Sequence, residues 1–128
     1  MNLPSPKRSF GQNYLVNPSA IAQIVQEALQ SSAPEILEIG PGRGALTQAL
    51  LQDGRSVHAI EMDPEHRQYL ETTFQSVKHF KVHQGDALSL PIPSRGPFTV
   101  VGNLPYNAAT AILTRFLLED IPWDRLVF

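Results

Sequence analysis

Residues 36–50 read I-L-E-I-G-P-G-R-G-A-L-T-Q-A-L, and this stretch decides the fold. Ile36 to Gly40 is a short apolar strand that runs straight into P-G-R-G-A. Leu46, Ala49 and Leu50 then recur at helical spacing until Gly54 stops the pattern. Strand, glycine turn and helix in that order form a cradle in which the backbone N–H groups at the helix start face a ligand. Gly40, Gly42 and Ala45 satisfy the loose G-x-G-x-x-G/A fingerprint. The fingerprint alone does not separate NAD from S-adenosylmethionine, because both carry an adenosine and both need close backbone approach. Further downstream, Ser56 to Glu61 (S-V-H-A-I-E) is a second strand, and its terminal Glu61 stands 21 residues after Gly40. A carboxylate there is placed to accept hydrogen bonds from both hydroxyls of a ribose.

The flanking elements repeat the alternation of strand and helix. On the amino side, Asn17-Pro18 caps a helix with Ile21, Ile24, Val25, Ala28 and Leu29 on one face, ending near Ser31. On the carboxyl side, Asp63-Pro64 caps another, with Tyr69, Leu70 and Phe74 expected to face the sheet. His79 to Gln84 alternates as a half-exposed edge strand, with His79, Lys81 and His83 read as surface residues. Asp86 follows in G-D-A-L, placed either to accept from an adenine amino group or to cap a turn. Phe98 to Val101 is a strand that breaks at Gly102. Asn107 is expected to cap a helix carrying Ala109, Ile112, Leu113, Phe116 and Leu117, ended by Pro122, and Arg125 to Phe128 begins a fifth strand. The expectation is a doubly wound, Rossmann-like α/β domain with strand order 3-2-1-4-5.

Composition narrows the class. The 128 residues are 42% hydrophobic and 17% charged with a formal net charge of -2, the profile of one soluble globular domain. No apolar run approaches the roughly 20 residues that span a bilayer, and the amino end lacks the apolar core of a signal peptide, so the expectation is a cytoplasmic protein without a membrane partner. Zero cysteines and four histidines without paired metal-ligand spacing argue against a metal site. Lys7 and Arg8 are the only charges before Glu27, which places the basic end beside Phe10, Gln12, Asn13 and Tyr14.

Residues 101–107, V-G-N-L-P-Y-N, carry the chemistry. Asn103, Leu104, Pro105 and Tyr106 lie at the carboxyl end of a strand, where open α/β sheets bind ligands. The Asn103 side-chain oxygen and the Leu104 carbonyl supply two acceptors for the hydrogens of a base amino group. Holding those hydrogens out of the ring plane moves lone-pair density onto the N6 nitrogen of adenine. Tyr106 offers a ring on which an unpaired base stacks.

Together F-G-Q-N-Y-L, E-I-G-P-G-R-G-A-L-T, Glu61, G-D-A and V-G-N-L-P-Y-N resemble, in order and spacing, the ribosomal RNA adenine dimethyltransferases of the KsgA type. The resemblance covers residues from about 10 to 118. It implies a class I methyltransferase domain that uses S-adenosylmethionine to dimethylate two adjacent adenines near the 3′ end of small-subunit rRNA. Carried over by position, the cofactor contacts fall on Asn13, Leu15, Gly40, Glu61, Asp86 and Asn103. The residues around the target base fall on Asn103, Leu104, Pro105 and Tyr106. The implied partner is the immature small ribosomal subunit, bound by a monomer.

Phe10-Gly11, Pro41 and Leu104 favour the small-subunit branch over the erythromycin-resistance enzymes, which methylate large-subunit rRNA. Ala108, Ala109 and Thr110 depart from the Ile and Ser or Thr that usually follow the loop. Family members also continue for about as many residues again. The expectation is therefore that residues 1–128 are the N-terminal part of the methyltransferase domain, cut after the start of the fifth strand. The remaining strands and a C-terminal helical domain would then be absent, and the piece alone catalytically silent. Two other readings stand beside this one. A non-catalytic nucleic-acid-binding relative would keep the pocket and loop without transfer, and an NAD-dependent oxidoreductase would leave N-L-P-Y without a role.

Overall fold

Asn17 opens the first helix by accepting from the Ser19 and Ala20 amides, and Pro18 supplies a first residue with no N–H to satisfy. The computed structural model describes residues 17–93 and 95–128. In chain order the elements are α1 (Pro18–Leu29), β1 (Glu35–Ile39), α2 (Ala45–Leu51), β2 (Ser56–Glu61), α3 (Pro64–Thr73), β3 (Phe80–Gln84), β4 (Phe98–Gly102), α4 (Tyr106–Leu118) and β5 (Trp123–Val127). All four strand pairings are parallel, in the order β3-β2-β1-β4-β5. This is the doubly wound order expected from the sequence, with β1 at its centre.

Two apolar layers follow from strand alternation. Ile36, Val57, Ala59 and Val101 point to one face, where Ala28 of α1, Leu46 and Leu50 of α2 and Leu70 of α3 cover them. Leu37, Ile39, Ile60, Phe98 and Val100 point to the other, where Ile112 and Phe116 of α4 pack. Burying each large side chain of this kind is worth about 1.5–3 kcal/mol, so the two layers hold the sheet without help from the ion pairs at its surface. No helix among the described residues is long and apolar enough to cross a membrane. Leu117, Leu118 and Trp123 remain exposed along α4 and β5.

Several boundaries and faces differ from the sequence reading. Gly102 completes β4 instead of breaking it, since it pairs with Ile39. α4 begins at Tyr106, not after a cap at Asn107: Pro105, extended at φ -57 and ψ 152, takes the N-cap place, and the Asn107 side chain accepts only from the next amide, Ala108. The helix ends at Leu118, before Pro122, and β5 starts at Trp123, two residues ahead of Arg125.

On α3 the buried positions are His66 and Leu70, with Phe74 packed against the layer and Tyr69 only half-buried. A histidine is tolerated at the centre of that face because Asp63 satisfies it. The edge-strand histidines are not plain surface groups either. His83 Nε2 lies 3.1 Å from His58 Nδ1, and His79 Nε2 lies 3.2 Å from the Leu51 carbonyl.

The glycine turn is packed as well as bent. Gly40, Gly42 and Gly44 all have positive φ, and a Cβ on Gly44 would sit 2.8 Å from Phe74 and 3.0 Å from Leu70. Gly44→Ala is therefore expected to lower stability by about 2 kcal/mol or more, from left-handed strain plus overpacking. Urea denaturation of the two proteins measures it, and an unchanged midpoint would contradict the packing.

Candidate functional site

The carboxyl edge of the sheet gathers most of the residues singled out from the sequence. Ile39 is in register with Ile60 on one side and Gly102 on the other, so the next residues, Gly40, Glu61 and Asn103, stand on one level. The ladder continues one step past the strands, with Gly40 N–H donating to the Ile60 carbonyl at 2.9 Å and Gly85 N–H to the Glu61 carbonyl at 3.0 Å. Gly85 thereby brings Asp86 to the same edge. Asn13 and Leu15 lie outside the described residues.

Glu61 is 3% exposed, and each of its oxygens receives a backbone amide. Gly42 N–H donates to Oε1 at 3.1 Å and Asp63 N–H to Oε2 at 2.9 Å. Burial pushes the carboxyl above its ordinary range, against the pull of those two amides and of the nearby His66 imidazole. A carboxylate oxygen has two lone-pair directions, so one amide each leaves room for two further donors side by side, as a vicinal diol presents them. Gly40 is exposed and has no side chain to hold a ligand off its backbone.

Asp86 is exposed. Its Oδ1 accepts from the Leu88 amide at 2.9 Å, so the turn-capping role weighed in the sequence is realised, with Oδ2 pointing outside that bond. Arg115 of α4 holds this turn from below, donating to the Ala87 and Leu90 carbonyls at 2.6 and 2.8 Å.

The four residues of the N-L-P-Y loop do different things. Asn103 is half-buried beside the glycine turn. Leu104 folds inward onto the layer containing Ile39 and Phe98, and its Cδ2 lies 3.3 Å from where a Cβ on Gly40 would be. Pro105 starts α4. Tyr106 is 88% exposed, its ring unpacked and open to a planar partner. Leu104 thus locks the loop against the glycine turn, with Asn103 half-buried and Tyr106 exposed on either side of it.

A family model described as ribosomal RNA adenine dimethylase matches residues 4–128. The chain belongs to that family. It is 44% identical over 110 residues to a ribosomal RNA small subunit methyltransferase A of Nitrosospira multiformis, covering 85% of this chain and 42% of that protein. It is 39% identical over 130 residues to the protein of the same name from a Synechococcus species, covering 94% of this chain and 47% of that one. The chain thus spans less than half the length of the curated relatives it matches. Among solved structures, the 23S rRNA methyltransferase ErmE superposes with a TM-score of 0.72 at 31% identity, over 85% of this chain and 44% of ErmE. The family thus joins the strand order and the edge geometry to RNA methylation.

Two buried acids behind the edge escaped the sequence reading in part. Glu38 is 1% exposed, and its Oε1 accepts from Thr47 Oγ1 on α2 at 2.5 Å. Burial raises its pKa from 4.5 to about 8, overriding the opposing Thr47 hydrogen bond and adding to the push from Glu61. The available signal was an acid inside an otherwise apolar run, I-L-E-I. Asp63 was legible as a cap, but its partner His66, three residues on, was not.

The Glu38 shift has a sign that can be measured. A carboxyl whose folded pKa lies above its unfolded value stabilises fully below about pH 4.5, and that contribution is lost as pH rises through about 8. Glu38→Gln keeps the shape and a hydrogen bond to Thr47 without the titration. Urea midpoints of the native protein are expected to fall from about pH 5 to about pH 8, and those of Glu38→Gln to fall less. Parallel profiles would contradict the assignment.

Proposed function

We propose that this chain carries the cofactor pocket and the base-binding loop of an S-adenosylmethionine-dependent enzyme that dimethylates N6 of two adjacent adenines near the 3′ end of small-subunit rRNA. One observation carries the reading. The N-L-P-Y loop leaves β4 on the same level as Gly40 and Glu61, and Leu104 packs against Gly40. Methyl donor and methyl acceptor would meet across that contact. The relatives named small subunit methyltransferase A support the substrate class.

S-adenosylmethionine supplies a methyl group on a sulfonium, already a strong electrophile. The residues of this chain then have to bind, orient and exclude water. Glu61 accepts from the two ribose hydroxyls, Asp86 from the adenine amino group of the cofactor, and Gly40 lets the ligand reach the backbone. Asn13, Leu15 and Asn103 complete the cofactor contacts. The Asn103 side-chain oxygen and the Leu104 carbonyl hold the hydrogens of the target amino group, Pro105 fixes the loop and Tyr106 stacks on the flipped base. The alkylated nitrogen is acidic enough to release its proton without a dedicated base, so no histidine is recruited. The immature small ribosomal subunit in the cytoplasm is the proposed partner of a monomeric enzyme. Residues 1–128 would supply part of its methyltransferase domain, the chain spanning less than half the length of the curated relatives it matches.

The loop separates chemistry from binding in the intact protein. Asn103 acts chiefly where the amino group is polarised, so Asn103→Ala is expected to slow single-turnover methylation by about 10² or more with little change in RNA affinity. Tyr106→Ala is expected to cost about 1–3 kcal/mol, visible partly in binding, and Tyr106→Phe to keep most activity because the ring does the stacking. Intact methyl transfer in Asn103→Ala would favour the non-catalytic binding relative. Transfer to 50S and not 30S particles would favour the resistance-type substrate.

A further inference from the structure

Behind Glu61 stands a pair that core packing does not require. Asp63 and His66 are both 0% exposed, and His66 Nδ1 lies 2.7 Å from Asp63 Oδ2. A carboxylate only accepts, so the imidazole donates at Nδ1. His66 occupies the inward stripe of α3 one turn before Leu70, where an aliphatic side chain would fill the space. A buried polar pair is a weak source of stability compared with a well-packed apolar replacement. What the pair adds is direction.

Asp63 is held from several sides. Its Oδ1 accepts from the Glu65 amide at 3.0 Å, its Oδ2 from His66, and its own N–H donates to Glu61 Oε2 at 2.9 Å. The other oxygen of Glu61 is held, among the described residues, by Gly42 at 3.1 Å, in a turn of left-handed glycines. The rigid side of the Glu61 clamp is thus the Asp63 side. His66 is the group that ties the second oxygen of Asp63 to the inward stripe of α3. The Glu61 carboxyl also feels the His66 imidazole directly, in the sense that favours its charged form.

We propose that His66 is a positioning residue: through Asp63 it sets the plane of the Glu61 carboxylate toward the two ribose hydroxyls of the cofactor. The inference rests on the reading of Glu61 as the ribose-holding group. It predicts a ligand-selective effect that a merely structural histidine would not produce. Loss of the relay weakens ligands through their two ribose hydroxyls and leaves a ligand without either hydroxyl almost untouched.

Calorimetry on the intact protein tests this with S-adenosylhomocysteine and its 2′,3′-dideoxy counterpart. His66→Leu removes the relay, and Asp63→Asn keeps the shape and the helix cap while weakening the bond to His66. Each variant is expected to lose about tenfold in affinity for the ribose ligand, the low end of what an orienting outer partner contributes. Each is expected to change less than about twofold for the dideoxy ligand. In a Glu61→Ala background neither should add a further loss. Equal losses for both ligands, or no loss for either, would overturn the proposal, and Asp63→Asn decides it if His66→Leu does not fold. If Glu61→Ala itself leaves the preference for the ribose ligand intact, the ribose role of Glu61 is wrong and the relay falls with it. That outcome is distinct from a relay failure, in which Glu61→Ala abolishes the preference and the two relay variants keep it.

Discussion

Two backbone amides from different loops, Gly42 after β1 and Asp63 after β2, converge on one buried carboxylate, Glu61. Removing a carboxylate from water costs several kcal/mol, and each charge-assisted hydrogen bond returns about 1.5–3 kcal/mol, so the two bonds nearly offset the burial without reversing its upward push on the pKa. The consequence is geometric. The glycine turn is tied to the end of β2, and the turn into α3 is tied to the same atoms. The loop after β4 joins them through Leu104.

The sheet makes the clamp available. A parallel sheet with order β3-β2-β1-β4-β5 brings the strand carrying the glycine turn to the centre, with Glu61 and Asn103 on its two flanks. Crossover helices of ordinary length suffice, since the fully buried positions of β1 are apolar except at Glu38. That exception is answered by Thr47 at the start of α2, which ties the helix to the strand directly beneath the turn. An acid with a pKa of about 8 there is predominantly neutral at pH 7 and so adds little negative charge behind Glu61.

Much of this was legible in the sequence because its signals are local. Strand, glycine turn, helix and terminal acid follow each other within residues 36–61, and alternation there fixes the faces. The strand order followed from the resemblance and from the βαβ rhythm together. What was not legible depends on phase and on distant partners. Whether Tyr69 or His66 turns inward on α3 is a matter of one helical step, settled by Asp63 satisfying the imidazole. The start of α4 at Tyr106 depends on Pro105 adopting an extended entry, where the sequence offered Asn107 as the more ordinary cap. Arg115 reads as a helix-surface cation, and only the fold brings it under the Ala87 and Leu90 carbonyls.

If Glu61, clamped by Gly42 and Asp63, is where the cofactor ribose is held, the N-L-P-Y loop closes the same pocket. A crystal structure of the intact protein with S-adenosylhomocysteine tests it most directly. Both ribose hydroxyls are expected within about 3 Å of the Glu61 oxygens, with the Gly42 and Asp63 amides still donating to them and the sulfur facing the Asn103 loop. A ligand seated with its ribose away from Glu61, or a Glu61 that has left both amides on binding, would contradict it.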